Sequence, residues 1–214
     1  MKKPLIILTG PTAVGKTKLS ISLAQAVNGA IISADSMQVY RHMDIGSAKI
    51  RPEEMCGVPH YLIDVLDPSE EFHVVKFVEL AHEAMEKIYA AGQIPIVTGG
   101  TGFYIQALLK EVDFTESHGE LPIRKQLEEK AATEEGAAEL YRELSEVDPA
   151  SAETIHPNNV KRVIRALEYY HETGQKISEH NEEQKQKESP YCSAYFVLND
   201  ERFCMTALTG ASIR

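Results

Sequence analysis

An α/β fold is predicted, a P-loop NTPase-like parallel sheet core carrying an inserted all-helical subdomain. Short, wholly apolar runs end at glycine turns and give way to helical periodicity, as do strands buried on both faces of a parallel sheet. A G-x-x-x-x-G-K-[ST] segment stands at the first of these junctions. Between residues 110 and 190 strand patterns are missing and the texture is helix-forming. The 214 residues, 43% of them hydrophobic, are enough for a sheet core and a second lobe, and they exclude disorder as the main state. The expected organisation is a core over residues 1–109, a helical insertion over 110–190 and a return to the core over 191–214, with no internal repeat.

Leu5-Ile6-Ile7-Leu8 reads as the first buried strand, and Leu19, Leu23 and Ala26-Val27 mark a helix from Lys16 to Val27 closed by Asn28-Gly29. Ala30-Ile31-Ile32 is the next strand and delivers Ser33, Ala34 and Asp35 at its carboxyl end. Tyr61 to Val65 reads as another strand. Val74, Phe77-Val78, Ala81, Ala84-Met85 and Ile88 trace one helix face that stops at Gly92. Ile94 to Thr98 is a strand whose Pro95 favours a first position or an edge, and Gly99-Gly100-Thr101-Gly102 then leads into a helix from Phe103 to Leu109. Alternating strands and helices put ligands at the carboxyl ends of the strands. Pro122 to Val147 is helix-forming, with apolar stripes at Leu127, Ala131, Leu140, Leu144 and Val147. Asp148-Pro149 and Pro157-Asn158 are helix starts, and Val160, Val163-Ile164 and Leu167 carry a helix to Gly174. Glu179 to Ser189 reads as a solvated connection before a last strand at Tyr195-Phe196-Val197-Leu198.

Lys+Arg number 22 against 32 Asp+Glu, a net charge of −10, which does not by default suit nucleic acid. Residues 1–60 reverse the balance, with seven basic side chains (Lys2, Lys3, Lys16, Lys18, Arg41, Lys49, Arg51) against four acids, so a local anionic ligand is expected there. No apolar run approaches a membrane span or a signal-peptide core, which predicts a cytoplasmic protein. Cys56, Cys192 and Cys204 are odd in number and unpaired in spacing, as reduced thiols are; Cys56-x3-His60 lacks the second pair a metal site needs, and the eight histidines are dispersed.

Gly10-Pro11-Thr12-Ala13-Val14-Gly15-Lys16-Thr17 fits the phosphate loop between a strand and a helix. Its glycines let backbone N–H groups curl around an anion, the helix start adds positive potential, Lys16 supplies a mobile charge and the Thr17 hydroxyl suits Mg²⁺. Such a cradle serves equally for splitting a nucleotide and for holding a diphosphate as leaving group. Asp35, in Asp35-Ser36-Met37-Gln38-Val39-Tyr40, is the acid best placed to act as general base, and two readings stay open for it, base or turn-forming cap. The turn at Gly99 to Gly102 either brings Thr101 to the same end of the sheet or serves close backbone packing. Lys161, Arg162 and Arg165 follow a phosphate backbone or line a solvated helix face.

The sequence resembles the tRNA dimethylallyltransferases, also called tRNA isopentenyltransferases. The segments that carry the resemblance are residues 10–17, Asp35 to Tyr40, Met43-Asp44-Ile45-Gly46-Ser47-Ala48-Lys49, Gly57-Val58-Pro59-His60, Leu62-Ile63-Asp64 and Gly99-Gly100-Thr101-Gly102-Phe103-Tyr104. Asp148-Pro149 and His156-Pro157-Asn158 with Arg162-x-x-Arg165-Ala166-Leu167-Glu168 complete it, over roughly residues 4–200. The resemblance implies transfer of a dimethylallyl group from dimethylallyl diphosphate to the exocyclic amine of the adenosine at tRNA position 37. It implies that residues 12–17 and Mg²⁺ hold the diphosphate, and that Asp35 takes the proton with Thr101 alongside. It implies tRNA contacts by Asp35, Ser36, Met37, Gln38, Thr101, Arg124, Lys161, Arg162, Val163, Ile164 and Arg165, a tRNA anticodon stem-loop as partner, and a monomeric cytoplasmic enzyme without a membrane. Because the base has to leave its stack, flipping is expected.

The resemblance stops near residue 200. The family continues with a helix resembling Leu-Tyr-Asp-Arg-Ile-Asn-Arg-Arg-Val-Asp, whereas this sequence ends Phe203-Cys-Met-Thr-Ala-Leu-Thr-Gly-Ala-Ser-Ile-Arg214. Allowed codons for that peptide, read in another frame, encode the family helix, so a frameshift near residue 203 and impaired activity are expected. Rival functions are a P-loop small-molecule kinase, prenyl transfer to free adenine nucleotides, and a non-catalytic tRNA-binding remnant.

Overall fold

The computed structural model describes residues 2–12, 14–111, 122–199 and 206–207. The chain divides into two compact units, Met1–Val112 with Glu188–Arg214, and Asp113–Lys187. In the first unit, β1 (Lys3–Thr9) is followed by α1 (Lys16–Val27), β2 (Gly29–Ser33), β3 (His60–Tyr61), α2 (Val74–Ala90), β4 (Ile94–Gly99) and α3 (Gly102–Lys110). The second unit holds α4 (Pro122–Lys130), α5 (Glu134–Val147), α6 (Pro149–Thr154), α7 (Val160–Thr173) and α8 (Ile177–Gln186). The chain then returns to the first unit as β5 (Tyr191–Val197) and β6 (Thr206–Ala207).

The strand order is β3-β2-β4-β1-β5-β6, with every pairing parallel except that of β5 with β6, a P-loop NTPase-like core. Side chains alternate between the two faces with the pleat of the strands. Ile32 and Val97 join Phe77, Met85, Ile88, Ile105 and Leu108 under α2 and α3, while Ile31 and Ile96 join Ile21 and Ala24 of α1. Asn28, left-handed at φ 53°, closes α1 and sends the chain straight into β2.

Three sequence expectations need correction. The strand read over Tyr61–Val65 is only His60–Tyr61, because Leu62 (φ 61°) and Asp64 (φ 55°) turn the chain; the Asp64 and Val65 N–H groups donate instead to Gln38 O and Val39 O. Pro95 is neither at an edge nor first, but second in central β4. It pairs with Ala30 of β2 one residue before pairing with β1 begins at Ile96, so its missing N–H falls where the strand has a neighbour on one side only. The polar stretch read as a solvated connection is mostly α8. Its start is fastened by Ser178 to Asp148, and its largely exposed surface leaves no apolar stripe to announce it.

In the second unit the segment 122–147 splits into two helices. Thr133 caps α5 by accepting from Gly136 N at 3.1 Å, and a Cβ on Gly136 would stand 1.8 Å from Lys130 O, so only glycine lets the turn close. Leu127, Leu140, Leu144, Val163, Ile164 and Leu167 form this unit's core. Among the described residues no helix is long and apolar enough to cross a membrane. The tail segments 200–205 and 208–214, on which the frameshift expectation bears, lie outside the described residues.

Candidate active site

The carboxyl ends of three neighbouring strands, β2, β4 and β1, supply the expected site residues. After β1, Gly10 takes φ 145°, and a Cβ there would stand 2.4 Å from Leu198 O, so the loop leaves the sheet through a gap that only glycine fits. Gly15, at φ 85°, turns the chain into α1, whose first turn carries no acid. The positive end of that helix is therefore uncompensated from within, a favourable setting for an anion. Lys16 Nζ donates to Gly10 O (2.8 Å) and Pro11 O (2.6 Å) across the loop. Burial lowers the Lys16 pKa below its ordinary value, and the charge of Asp35 opposes that shift. Pro11, Thr12, Gly15 and Thr17 are exposed, Gly10 and Val14 half-buried, and Ala13 lies outside the described residues.

Asp35 follows β2. Its Oδ1 accepts from Met37 N (2.8 Å) and Gln38 N (3.2 Å), so this oxygen makes the turn that the capping reading expected. The other oxygen has no hydrogen bond among the described residues, so the turn does not occupy the whole carboxylate. Ser36 and Met37 are exposed beside it. Gln38 is spent on the loop: its side-chain oxygen accepts from Ser33 Oγ (3.3 Å) and its amide donates to Ala48 O (3.2 Å).

After β4, a Cβ on Gly99 would stand 2.3 Å from Ala34 O, while one on Gly100 would stand 3.9 Å from Gly10 O. The second glycine turn thus packs against the ends of both β2 and β1. Close packing and delivery of Thr101 turn out to be one geometry, with Thr101 opening α3 and its hydroxyl making no cap hydrogen bond.

Two features are not announced by the sequence, although Lys49 itself stands there among the basic side chains expected near an anionic ligand. Lys49, its side chain 5% exposed, places Nζ on Asp64 Oδ1 (2.6 Å), Asp44 Oδ1 (2.7 Å) and Tyr40 O (2.8 Å), tying residues 40–49 to the turn after β3. Burial alone would lower its pKa; the two carboxylates outweigh that and raise it. A cleft of about 1130 Å³ opens between α1 and residues 44–56, lined by Thr17, Lys18, Ile21, Ile50 and Arg51 among others. His60, half of the weighed Cys56-x3-His60 pair, has its Nδ1 2.8 Å from Val58 O, and burial lowers its pKa.

In the helical unit the expected nucleic-acid contacts divide. Lys161 and Arg162 are exposed at the start of α7. Val163 and Ile164 are 1% and 5% exposed inside the unit's core, so their side chains are corrected from RNA contacts to packing residues. Arg165 and Arg124 both reach the carboxylate of Glu168, at 3.1 and 3.5 Å.

A family model described as IPP transferase matches residues 38–207. The tRNA dimethylallyltransferase of Lachnoclostridium phytofermentans is 65% identical over 200 residues, covering 94% of this chain and 64% of that protein. That of Bacillus mycoides is 51% identical over 184 residues, covering 86% of this chain and 58% of the other. The chain spans less than two thirds of the length of these curated relatives. Among solved structures, a eukaryotic dimethylallyltransferase acting on tRNA superposes with a TM-score of 0.80 at 39% identity, over 92% of this chain and 48% of that one. The tRNA isopentenylpyrophosphate transferase of Bacillus halodurans gives 0.58 at 43% identity, over 93% and 61%.

Proposed function

The chain belongs to the IPP transferase family, and from that premise we propose that it moves a dimethylallyl group from dimethylallyl diphosphate to the N6 amine of the adenosine at position 37 of a tRNA, giving N6-dimethylallyladenosine. In this reaction a C–O bond to the diphosphate breaks, a C–N bond to the amine forms, and the amine gives up a proton. The observation that carries the reading is the meeting of the phosphate loop, Asp35 and the Thr101 turn at one end of the sheet, with the charge of Asp35 felt by Lys16.

Loop N–H groups, the start of α1 and Lys16 bind the departing diphosphate, so positive potential is strongest where negative charge grows. Asp35 holds one oxygen fixed in its turn, which aims the other at the amine as proton acceptor. Thr101 lies alongside, with a hydroxyl that orients the base. The adenine reaches this end of the sheet by leaving its stack. Mg²⁺ fits the residues present. A phosphate-bound Mg²⁺ keeps several waters and takes few protein ligands, and in a phosphate loop the Ser/Thr hydroxyl is one of them. The exposed Thr17 hydroxyl would hold it, and the ion would neutralise charge on the diphosphate. A monomer acting in the cytoplasm, on the anticodon stem-loop, completes the reading.

The test is transfer of labelled dimethylallyl diphosphate to an unmodified anticodon stem-loop. Asp35→Asn is expected to slow conversion by about 10²–10⁴-fold while leaving diphosphate binding in place. Conversion unaffected by the substitution removes Asp35 as the base, and phosphoryl transfer from labelled ATP to a metabolite points to the kinase instead.

A further inference from the structure

Glu168 lies on α7 with its side chain wholly buried, yet only one of its oxygens is engaged. Oε2 accepts from Arg165 Nη1 at 3.1 Å and from Arg124 Nη1 at 3.5 Å, whereas Oε1 has no hydrogen-bond partner among the described residues. The two guanidinium groups come from different helices, α4 and α7, and their side chains are 39% and 35% exposed. Arg124 is held on a second edge as well, its Nε donating to Glu128 Oε1 at 3.1 Å. Lys161 and Arg162, both exposed, begin the helix that carries Arg165.

Stability does not explain this arrangement. Withdrawing a carboxylate from water costs more than pairing commonly returns, and apolar side chains of similar size would hold the two helices at least as well. A buried carboxylate does one thing an apolar residue cannot: it keeps two cations together at the surface against their mutual repulsion. Planar forks held at a fixed spacing match the paired oxygens of a phosphodiester. We propose that Glu168 is a positioning residue that sets Arg124 and Arg165 as a two-pronged clamp for an RNA phosphate. The inference rests on the tRNA reading given above.

Charge counting and positioning make opposite predictions. If only the number of charges mattered, deleting a carboxylate would tighten RNA binding. The test is Glu168→Gln in the full chain, with stem-loop binding measured across a salt series and thermal unfolding followed alongside. The clamp predicts affinity about tenfold weaker and a salt slope smaller by about 0.7 per lost phosphate contact, with cooperative unfolding retained. Equal or tighter binding by folded E168Q overturns the proposal. If E168Q does not fold, Arg165→Lys is the second variant, since it keeps the charge and gives up only the fork. Weaker binding by R165K upholds the clamp and unchanged binding overturns it. If the unsubstituted chain itself does not bind the stem-loop, the tRNA reading is what fails. The same variants are then compared on inorganic polyphosphate, where a loss upholds the clamp and equal affinity overturns it.

Discussion

Asp148 is the side chain whose removal the helical unit should feel most. It is 2% exposed and accepts four hydrogen bonds: Ser151 N (3.1 Å) and Ser178 Oγ (2.6 Å) on Oδ1, Ser151 Oγ (2.7 Å) and Ser178 N (3.0 Å) on Oδ2. It thereby caps α6 and fastens the start of α8, thirty residues on. In Asp148→Ala the two hydroxyls can turn to other acceptors, but the two backbone N–H groups cannot. At about 1–3 kcal/mol for each orphaned donor, the loss is about 4 kcal/mol. Asp148→Asn keeps one accepting oxygen and turns an NH₂ toward the other pair, which halves the loss to about 2 kcal/mol. The assay is urea unfolding followed by far-UV circular dichroism, with hydrogen exchange of the α6 and α8 amides to locate the effect. A matching acid signature should accompany it. Burial alone would raise the Asp148 pKa, yet its four hydrogen bonds outweigh burial and lower it below the reference 3.8. A carboxylate whose folded pKa is depressed stabilises the fold above its unfolded value and loses that contribution as pH falls through the folded one. The wild type should therefore weaken below about pH 4, and Asp148→Asn should lack that component. An Asp148→Asn protein with an unchanged urea midpoint would refute the reasoning.

Two further substitutions probe the sheet unit. Gly99→Ala sets a methyl 2.3 Å from Ala34 O, so the ends of β4 and β2 have to part; about 3 kcal/mol of stability is expected to go, and prenyl transfer with it, as read by thermal denaturation and the labelled-substrate assay. Lys49→Met leaves Asp44 and Asp64 without their shared cation, so limited proteolysis within residues 40–64 should quicken several-fold while α1 and the central strands keep their exchange protection. Because the Lys49 pKa is raised, its contribution is whole below the reference 10.5 and lost only as pH rises past the folded value, so a neutral-pH scan should show no titration of this effect.

Much of this architecture is local and therefore legible from the sequence. The span of α1, Lys16–Val27, follows from apolar spacing plus a residue at position 28 that tolerates the left-handed region. The phosphate loop is legible because its residue types and spacing stand together within eight positions; the left-handed turn at Gly15 is a local demand, whereas the close approach of Leu198 O that requires glycine at position 10 comes from the far end of the chain. Sequence reasoning fails where a distant group decides. Leu62 turns out of the strand because residues 38 and 39 offer carbonyls to the residues after it, and α8 exists because Asp148 grips its first turn. Val163 and Ile164 carry the helix's apolar stripe, although the family resemblance counts them among the RNA contacts. The side of a helix a residue occupies decides its role before its neighbours in sequence do.

Among the described residues, Lys49, Asp148 and Glu168 each hold a charged side chain largely out of water, and how fully each is satisfied separates their functions. Lys49 spends all three ammonium protons on Asp64, Asp44 and Tyr40 O, and Asp148 fills both oxygens with four donors. A saturated buried charge has nothing left to offer a ligand and serves to lock one loop or helix start to another. Glu168 differs: two cations share one of its oxygens while the other stays unpartnered, and the cations it holds reach solvent. Folding alone gives no reason to keep that imbalance, because an apolar trio would remove the orphaned oxygen and the desolvation cost together. A phosphate, itself an acceptor, leaves Oε1 as it is and completes the outer edge of the arginines instead: they then face negative charge on two sides, and Glu168 prevents them from splaying apart to meet it.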